Sequence, residues 1–539
     1  MQSIQLIPAP PDTPGKQKVS AVARDSPEPA VHQGQVVTFG DSGLKRGLSE
    51  RQISMLALAS IIGGPAFYLI GYVIHLSGPI GTLLAFCLVG FIVWALMQSI
   101  GEVTTMFPIA GGFIEHATRF VDPSFGFALA WIYYLMWCVL LATEWSGAIL
   151  VLDYWVSPEQ MPIWGWCLIF FGFFTVVTNC GVVVYGEVEY WLGWAKLLAI
   201  FACFFISFLV NVGAFGNGYV GLRYWTPPNG PFQGGLGDFA QSLVTAAAFY
   251  VGTEILSLAA AETHQPQRAI PRGTRSVVIR ICVVFIGLAF WQSIICPATS
   301  SQLLQADSTV GISPFTIAFT QVGWVSSGDF INAMCTMAFI SGVNGAVYVQ
   351  SRVLYSMALT GRAPRVFARL SKAKVPYVAI VTANMWGFLT LLNLGGSAGA
   401  IYSYIVTVAG SCAYITWACI VFTHLRVRGG LVRQGISLDS IPFRAAGSIW
   451  IYRGNFVLVI LLLLISGYTK LTPFDRAGFV SSYIAIPTFF VCYLGHRLYH
   501  GSQWISRKDM DLSMRMPRLE EEEGGAQSWR GRLHRWLPW

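Results

Sequence analysis

The first long apolar run of the chain, residues 52–76, is interrupted near its middle by Ser60-Ile61-Ile62-Gly63-Gly64-Pro65. A helix that crosses a bilayer normally forms all of its backbone hydrogen bonds internally, because lipid offers no partner for a free N–H or C=O group. Glycine and proline in mid-span release several of these groups. Such an interruption is tolerated where it is buried in protein or lines a cavity, and in transporters it supplies backbone groups for the solute. It therefore predicts a solute-binding site within a membrane-spanning bundle.

The composition places the rest of the chain in the same class. Of the 539 residues, 54% are hydrophobic and 11% are charged, whereas a soluble domain carries about 25% charged residues. The net charge of +8 comes from Lys and Arg residues that lie between apolar runs, so it predicts an orientation in the membrane rather than a nucleic-acid partner. The sequence shows no nucleophile–base pair, phosphate loop or metal-binding motif, so neither an enzyme nor a bound cofactor or metal is expected.

About 20 apolar residues are needed to cross a bilayer, and about twelve segments of the chain meet this criterion. These segments are 52–76, 83–104, 125–152, 162–184, 190–213, 240–263, 277–299, 328–350, 376–396, 400–425, 453–471 and 478–498. Basic residues concentrate in alternate connections, at 268–280, 362–374 and 426–444, and the positive-inside rule assigns those connections to the cytoplasm. An even number of spans then places both termini in the cytoplasm. The sequence thus predicts a disordered cytoplasmic tail over 1–47, a transmembrane domain over 48–500 and a solvated cytoplasmic tail over 501–539.

The sixth segment contains a second interruption, Phe249-Tyr250-Val251-Gly252-Thr253-Glu254. A single glycine is a weak signal, but a carboxylate at the centre of a span costs about 3 kcal/mol or more and usually has a function. The first and sixth segments begin two successive blocks of five helices. Interruptions at corresponding places in two halves are the best sequence indication of a transporter binding site, so we expect the two interruptions to form one site.

Other polar residues lie within apolar segments. Glu144 has apolar neighbours on both sides, which favours a functional role. Lys196 could be functional or could extend its side chain to the membrane interface. Asn344 could form an interhelical hydrogen bond or belong to the site. Three further acidic residues, at span ends or in a short cytoplasmic connection, are predicted to be solvated: Glu102, Glu187 and Glu189.

Ordered motifs over residues 45–500 resemble those of the fungal (yeast-type) amino acid permeases of the amino acid–polyamine–organocation (APC) superfamily. They include Met97-Gln98-Ser99-Ile100-Gly101-Glu102, Phe120-Val121-Asp122-Pro123, Gly252-Thr253-Glu254, Ala269-Ile270-Pro271-Arg272 and Ser351-Arg352-Val353-Leu354-Tyr355. The resemblance implies an all-α integral membrane protein with about twelve transmembrane helices. Ten of them would form an APC/LeuT-like five-plus-five inverted repeat with broken helices 1 and 6, plus two extra helices. It also implies proton-coupled import of amino acids across the plasma membrane.

The resemblance further implies that backbone N–H groups at the first interruption hold the amino acid carboxylate, and that carbonyls at the second hold the amino group. This division agrees with the dipoles of the half-helices. Lys196 matches a fifth-helix Lys that stands in for a sodium ion in proton-coupled relatives. The predicted substrate-binding residues are Ile61, Ile62, Gly63, Gly64, Phe249, Tyr250, Gly252, Thr253 and Asn344. The predicted proton-coupling residues are Lys196, Glu144 and Glu254.

The chain departs from the family at the first interruption, which usually reads like Gly-Thr-Ile-Gly-Thr-Gly. Here both threonine hydroxyls are missing, at Ile61 and Gly64, and Pro65 has no N–H to donate. The loss of a hydrogen bond to a charged group costs about 1.5–3 kcal/mol, so binding of a common amino acid is expected to be altered. Restoring Thr at Gly64 and Gly at Pro65 is expected to shift selectivity towards standard amino acids.

The predicted function is therefore the import of amino acids or related amino compounds by proton symport, with the proton gradient as the energy source. The expected partners are the small-molecule substrate, protons and the lipid bilayer, without nucleic acid. Two alternatives remain open. One is a transporter dedicated to a specialised metabolite or a modified amino acid, and the other is a nutrient sensor that signals without net transport.

Overall fold

The computed structural model describes residues 52, 55, 62–67, 69–109, 111–216, 218–259, 270–275, 278, 282–300, 303, 313–395 and 398–513. The predicted N-terminal tail, 1–47, and Ile61 lie outside these residues. Within the described ranges the regular secondary structure is helical, apart from one isolated bridge between Leu471 and Phe474.

The helices are numbered in chain order. They are α1 (Leu69–Met106), α2 (Phe113–Phe120), α3 (Pro123–Leu152), α4 (Ile163–Asn179), α5 (Val182–Asn211), α6 (Leu236–Ala248), α7 (Ile255–Ala259), α8 (Gly287–Ile295), α9 (Pro314–Gln321), α10 (Ser327–Leu359), α11 (Tyr377–Met385), α12 (Ala398–Arg433), α13 (Ile449–Ile465), α14 (Arg476–Tyr483) and α15 (Ala485–His500). A 3-10 turn, Gly64–Phe67, precedes α1, and a π-helical turn, Cys282–Ile286, precedes α8. A 3-10 segment, Trp386–Gly395, extends α11.

Among the described residues, 7 helices are long and apolar enough to cross a membrane, and the pair α14 and α15, bent by 43°, would make 8. The 7 are α1, α3, α5, α10, α11 with its extension, α12 and α13. The protein is therefore an all-helical, multi-pass membrane protein. The number of twelve spans stays a prediction, because parts of the first, sixth and seventh segments lie outside the described residues.

Helix α1 contains a sharp turn at Gly78, which has φ 73° and is followed by Pro79. This conformation suits glycine, and proline suits the first position of a new helix. A Cβ on Gly78 would lie 2.8 Å from the backbone nitrogen of Gln233, so the loop that contains Gln233 packs closely on the turn. Helix α1 thus contains the end of the first predicted span and the whole of the second.

Helix α5 has one face towards protein and one towards lipid. Its buried positions recur at intervals of three and four residues, which is one face of an α-helix: Gly186, Glu189, Gly193, Lys196, Ile200, Cys203 and Ser207. Large apolar side chains are exposed on the other face: Trp191, Leu198, Phe201, Phe205 and Phe208. The apolar exposed face fits a bilayer surround, and the polar residues of α5 therefore point into the bundle.

A buried ionic cluster lies at the C-terminal end of α1. The Glu102 side chain is 0% exposed and accepts two hydrogen bonds from Arg428, at 2.7 and 2.6 Å. It also accepts from His424 at 3.0 Å and from the backbone N–H of Ala445 at 2.7 Å. The prediction that Glu102 is solvated is therefore wrong, because α12 and the loop that follows it cover the end of α1.

The segment 501–513 packs on the same end of the bundle. The Ile505 N–H donates to the Val121 carbonyl at 3.0 Å, and Arg119 forms an ion pair with Asp511 at 2.6 Å. Met510 and Leu512 are buried in an apolar cluster with residues of α1, α2 and α12. Met510 and Leu512 of the predicted C-terminal tail are therefore packed against the helices, while most of the other residues in 501–513 are exposed.

Breaking the ion pair between Arg428 and Glu102 should destabilise the fold strongly. We expect Arg428→Met to cost about 3–5 kcal/mol, because it leaves a buried carboxylate without its main counter-ion. The measurement is the thermal unfolding of the purified protein in detergent.

The matched control is Arg444→Met, which removes an exposed pair with Asp439, whose side chains are 55% and 79% exposed. Its cost should be about 0–1 kcal/mol. Equal melting temperatures for the two variants would contradict a structural role for the buried cluster.

Candidate functional site

The first interruption is held open by a side chain from another helix. Ile62 and Gly63 are not helical, and the turn Gly64–Phe67 begins with the Ala66 N–H donating to the Gly63 carbonyl at 3.3 Å. The Ile62 carbonyl accepts a hydrogen bond from the Lys196 ammonium at 3.0 Å. An ammonium group of α5 thus satisfies a backbone carbonyl that a continuous helix would have paired internally.

The Lys196 side chain is 1% exposed, so it does not extend to the membrane interface. Its ammonium also donates to the Ser341 hydroxyl of α10 at 2.9 Å. Ser341 in turn donates to the Glu189 carboxylate at 2.7 Å, and the Asn344 amide donates to the other oxygen of Glu189 at 2.8 Å. A buried charge requires such partners, and the result is one polar network between α5, α10 and the first interruption.

Glu144 of α3 lies beside this network. A Cβ on Gly63 would lie 3.3 Å from Glu144 Oε1, and a Cβ on Gly342 would collide with Oε2. Within the described residues, Oε2 is buried without a hydrogen-bond partner. The absence of side chains at Gly63 and Gly342 therefore makes room for a carboxyl group between the interruption and α10.

A phenylalanine fills the other side of the interruption. The Phe339 ring is fully buried, and a Cβ on either Gly64 or Gly147 would collide with it. The ring thus lies between the two glycines and joins α10 and α3 to the turn. The space that a family threonine would need at Gly64 is occupied here. Replacing Gly64 alone by Thr would therefore produce a clash with the Phe339 ring. This clash would obscure any effect of the threonine hydroxyl on selectivity.

The second interruption follows the end of α6. Gly252 has φ 101°, a conformation that favours glycine. Glu254 is 0% exposed, and its Oε2 accepts from the Gly252 N–H at 3.2 Å and from the Trp417 indole at 3.4 Å. In the described part of the chain, Glu254 Oε1 and the Thr253 hydroxyl are buried without a partner.

Phe249 and Tyr250 pack against α1. The Tyr250 hydroxyl donates to the Phe86 carbonyl at 3.0 Å, and the rings of Phe249 and Phe86 lie 5.3 Å apart. Phe285 contacts both Phe249 and Tyr250. These two side chains therefore anchor the second interruption to neighbouring helices.

The structure places the predicted residues in two groups. Around the first interruption lie Ile62, Gly63, Gly64, Glu144, Lys196 and Asn344. Around the second lie Phe249, Tyr250, Gly252, Thr253 and Glu254. Ile61 is outside the described residues.

Sequence reasoning missed three residues of the first group: Glu189, Ser341 and Phe339. Glu189 was expected to be solvated in a connection, but it is 0% exposed in the third turn of α5. Its interval of seven residues from Lys196, two helical turns, would have placed both on one face. Ser341 and Phe339 carry no signal that distinguishes them from other residues of an apolar helix.

The backbone at the two interruptions can bind opposite charges. The turn and α1 present N–H groups at an N-terminal end, which attracts anions, and α6 presents carbonyls at a C-terminal end, which attracts cations. The buried Glu144, Glu189, Lys196 and Glu254 can hold or release protons. Within the described residues no cluster of three or more His, Cys, Asp or Glu side chains could hold a metal ion.

A bundle of apolar helices with interrupted helices and buried ionisable side chains is the arrangement of a secondary membrane transporter. Residues 52–510 match the family model described as "Amino acid permease". The chain therefore belongs to the amino acid permease family, and it is an amino acid transporter rather than an enzyme. The family resemblance predicted from the sequence motifs is confirmed.

Several curated proteins are similar over most of the chain. An uncharacterised amino-acid permease of Schizosaccharomyces pombe is 37% identical over 475 residues, which cover 87% of this chain and 86% of the relative. A general amino acid permease of Saccharomyces cerevisiae is 35% identical and covers 84% of this chain and 81% of its own length. A lysine-specific permease of Lactococcus lactis is 33% identical, with coverage of 88% and 94%.

The contact between Gly64 and Phe339 generates a prediction about packing. Gly64→Thr should destabilise the protein by about 1–3 kcal/mol, because the new side chain overpacks the Phe339 ring. Phe339→Ala alone should cost about 3–5 kcal/mol through the cavity that it leaves. The double variant should be more stable than the sum of the two costs implies, since the threonine enters the vacated space. Thermal unfolding of the purified variants measures all three.

Gly410→Thr is the matched control, because Gly410 lies within α12 and a Cβ there would meet nothing within 4 Å. Additive costs for the double variant, or an equal loss from Gly410→Thr, would show that Phe339 does not occupy the space beside Gly64.

Proposed function

We propose that this permease imports an amino acid by proton symport, with its substrate site at the two interruptions and Lys196 as the coupling residue. The observation that carries the proposal is the hydrogen bond from the Lys196 ammonium to the Ile62 carbonyl, at 3.0 Å. It connects a group that can lose a proton directly to the backbone of the interruption. The charge on Lys196 therefore acts on the shape and polarity of the substrate site.

The substrate is an amino acid gripped from both ends. We assign its carboxylate to the backbone N–H groups at Gly63 and Gly64, where the N-terminal end of a half-helix attracts an anion. We assign its amino group to the second interruption, where carbonyls end α6 and Glu254 supplies a carboxylate. Pro65 offers no N–H, so fewer donors face the carboxylate than in the usual family pattern.

Proton binding at Lys196 stabilises the conformation of the site in which the Ile62 carbonyl accepts a hydrogen bond from the Lys196 ammonium. Hydrogen bonds to charged groups are about twice as strong as those between neutral groups. A neutral Lys196 would hold the carbonyl less firmly, and the backbone at the interruption would be freer to rearrange. Glu144, which lies against Gly63, is assigned to the same coupling group.

The same proposal includes the topology and the location. Twelve spans with a five-plus-five inverted repeat would place the basic connections at 362–374 and 426–444 in the cytoplasm, together with both termini. We assign the protein to the plasma membrane, where an inward proton gradient can drive import.

A transporter for a specialised or modified amino acid is the second candidate. It is favoured by the Phe339 ring beside Gly64 and by Pro65, both of which change the site relative to the usual family pattern. The relatives bear names that range from general to lysine-specific permeases. Common amino acids, lysine included, are therefore the first substrates to test.

The test is uptake of individual radiolabelled amino acids by yeast cells that lack their own amino acid permeases. We expect accumulation above a vector control for at least one standard amino acid, with more uptake from acidic than from neutral medium and loss of uptake with a protonophore. Accumulation that ignores external pH and the protonophore would refute proton symport. Uptake of modified amino acids alone would favour the second candidate.

Replacing Lys196 should abolish coupled uptake. We expect Lys196→Met to lower accumulation by about 10- to 100-fold, because it removes a charge-assisted hydrogen bond worth about 1.5–3 kcal/mol from the Ile62 carbonyl. Lys470→Met is the control, since that side chain is 37% exposed. Normal accumulation by a correctly localised Lys196→Met variant would exclude Lys196 as the coupling residue.

A further inference from the structure

Glu189 is tied to Lys196 through a single hydroxyl group. The Lys196 ammonium donates to Ser341 Oγ at 2.9 Å, and Ser341 donates to Glu189 Oε2 at 2.7 Å. The other carboxylate oxygen accepts from Asn344 at 2.8 Å. Glu189 is 0% exposed, so the carboxylate lies in the interior with its hydrogen-bond capacity directed towards α10. Two hydrogen bonds through Ser341 thus connect the Lys196 ammonium, which can donate a proton, to the Glu189 carboxylate, which can accept one.

The position of Glu189 along α5 gives the path a direction. Seven residues separate it from Lys196, which corresponds to about 10 Å along the helix axis. Glu189 is the nearer of the two to Val182, where α5 begins. In the proposed orientation, that end of α5 is the cytoplasmic end. Glu189 thus lies on the side to which a transported proton must leave.

We propose that Glu189 is the proton acceptor for Lys196 on the cytoplasmic side, and that Ser341 relays the proton between them. This inference rests on the proposed function, because it assumes that Lys196 carries the coupled proton. It adds a second titrating residue and a route to the step in which the proton is released.

The transfer conserves atoms and charge. The Lys196 ammonium gives a proton to Ser341 Oγ while the Ser341 hydroxyl gives its own proton to the Glu189 carboxylate. An ammonium and a carboxylate become a neutral amine and a neutral carboxylic acid, and Ser341 is unchanged. The proton then leaves Glu189 for the cytoplasm. With Lys196 neutral, its hydrogen bond to the Ile62 carbonyl weakens, which links proton release to release of the substrate.

Few other charged side chains lie near Glu189 among the residues that the structure describes. Glu187 and Lys196 lie on its own helix, and the Glu144 carboxyl of α3 lies beside Gly63 at the first interruption. From α10, Arg352 lies over the Tyr348 ring at 4.9 Å, and Tyr348 stacks on Tyr185 of α5. Helices α4, α8 and α9, which also pack on α5, contain no Asp, Glu, Lys, Arg or His. In the described part of the chain, Glu189 is thus linked by hydrogen bonds to Ser341 and Asn344, and through Ser341 to Lys196.

Glu189→Gln tests the proposal, because glutamine keeps the size of the side chain and one acceptor oxygen but cannot accept the proton. The purified protein is placed in liposomes with an imposed proton gradient, and the probe is an equimolar mixture of radiolabelled standard amino acids. Two activities are measured. Net accumulation requires proton movement, whereas exchange of external label for internal unlabelled amino acid does not require net proton movement.

We expect Glu189→Gln and Ser341→Ala to lower net accumulation by about tenfold or more, equivalent to about 1.4 kcal/mol, and to flatten its dependence on external pH. Exchange should fall much less. Glu189→Asp, which keeps an acid, should recover part of the accumulation. The controls are Glu187→Gln on α5, whose carboxylate accepts from Gln52, and Ser351→Ala on α10, whose hydroxyl donates to the Tyr348 carbonyl. Both controls should behave like wild type.

Each outcome has a distinct meaning. If the wild type and the Glu189→Gln variant accumulate amino acids equally in response to the proton gradient, this inference is wrong and the proposed function stands. If Glu189→Gln loses exchange and accumulation equally, and Glu189→Asp restores neither, Glu189 has only a structural role. This outcome also overturns the inference. A wild type that exchanges amino acids but ignores the proton gradient overturns proton symport and this inference together.

Discussion

The structure depends on one constraint, namely that a backbone carbonyl within the membrane must have a hydrogen-bond partner. At the first interruption the Ile62 carbonyl cannot pair within its own helix, and Lys196 supplies the partner. The Lys196 ammonium itself is a buried charge, and a buried charge needs counter-charges and hydrogen-bond acceptors of its own. Ser341 and Glu189 supply them from two helices. The packing of α5 against α10 around the interruption follows from this sequence of requirements.

Small residues allow the network to sit against the backbone. Glycines at Gly63 and Gly342 leave room for the Glu144 carboxyl, and Gly64 and Gly147 leave room for the Phe339 ring. The interruption is therefore not a flexible gap, because each missing side chain is matched by a large or polar one from a neighbouring helix. Dense packing of this kind gives discrete alternative arrangements rather than continuous deformation, and discrete arrangements are what an alternating-access transporter requires.

The features that were predictable from sequence are local ones. Two glycines and a proline within an apolar run locate the first interruption, and a carboxylate within an apolar run locates Glu254. The features that were missed depend on partners distant in the chain. Glu102 appeared solvated because its partner Arg428 lies 326 residues away, and Glu189 because Ser341 lies 152 residues away. The burial of Met510 likewise depends on a groove that only the folded helices form. Local patterns predict where a chain is unusual, but not which distant residue compensates for it.

Coupling by a shared network has a thermodynamic consequence that does not depend on the order of events. If the proton on Lys196 strengthens substrate binding at the interruption by a given factor, substrate binding must strengthen proton binding at Lys196 by the same factor. The Ile62 carbonyl is the physical link, since it belongs to the proposed substrate site and accepts from Lys196. An acceptor such as Glu189 then matters because the proton must also be able to leave once the substrate has gone. If Lys196 only bound the proton tightly, the site would retain both the proton and the substrate. A relay from Lys196 to Glu189 allows the same network to release both.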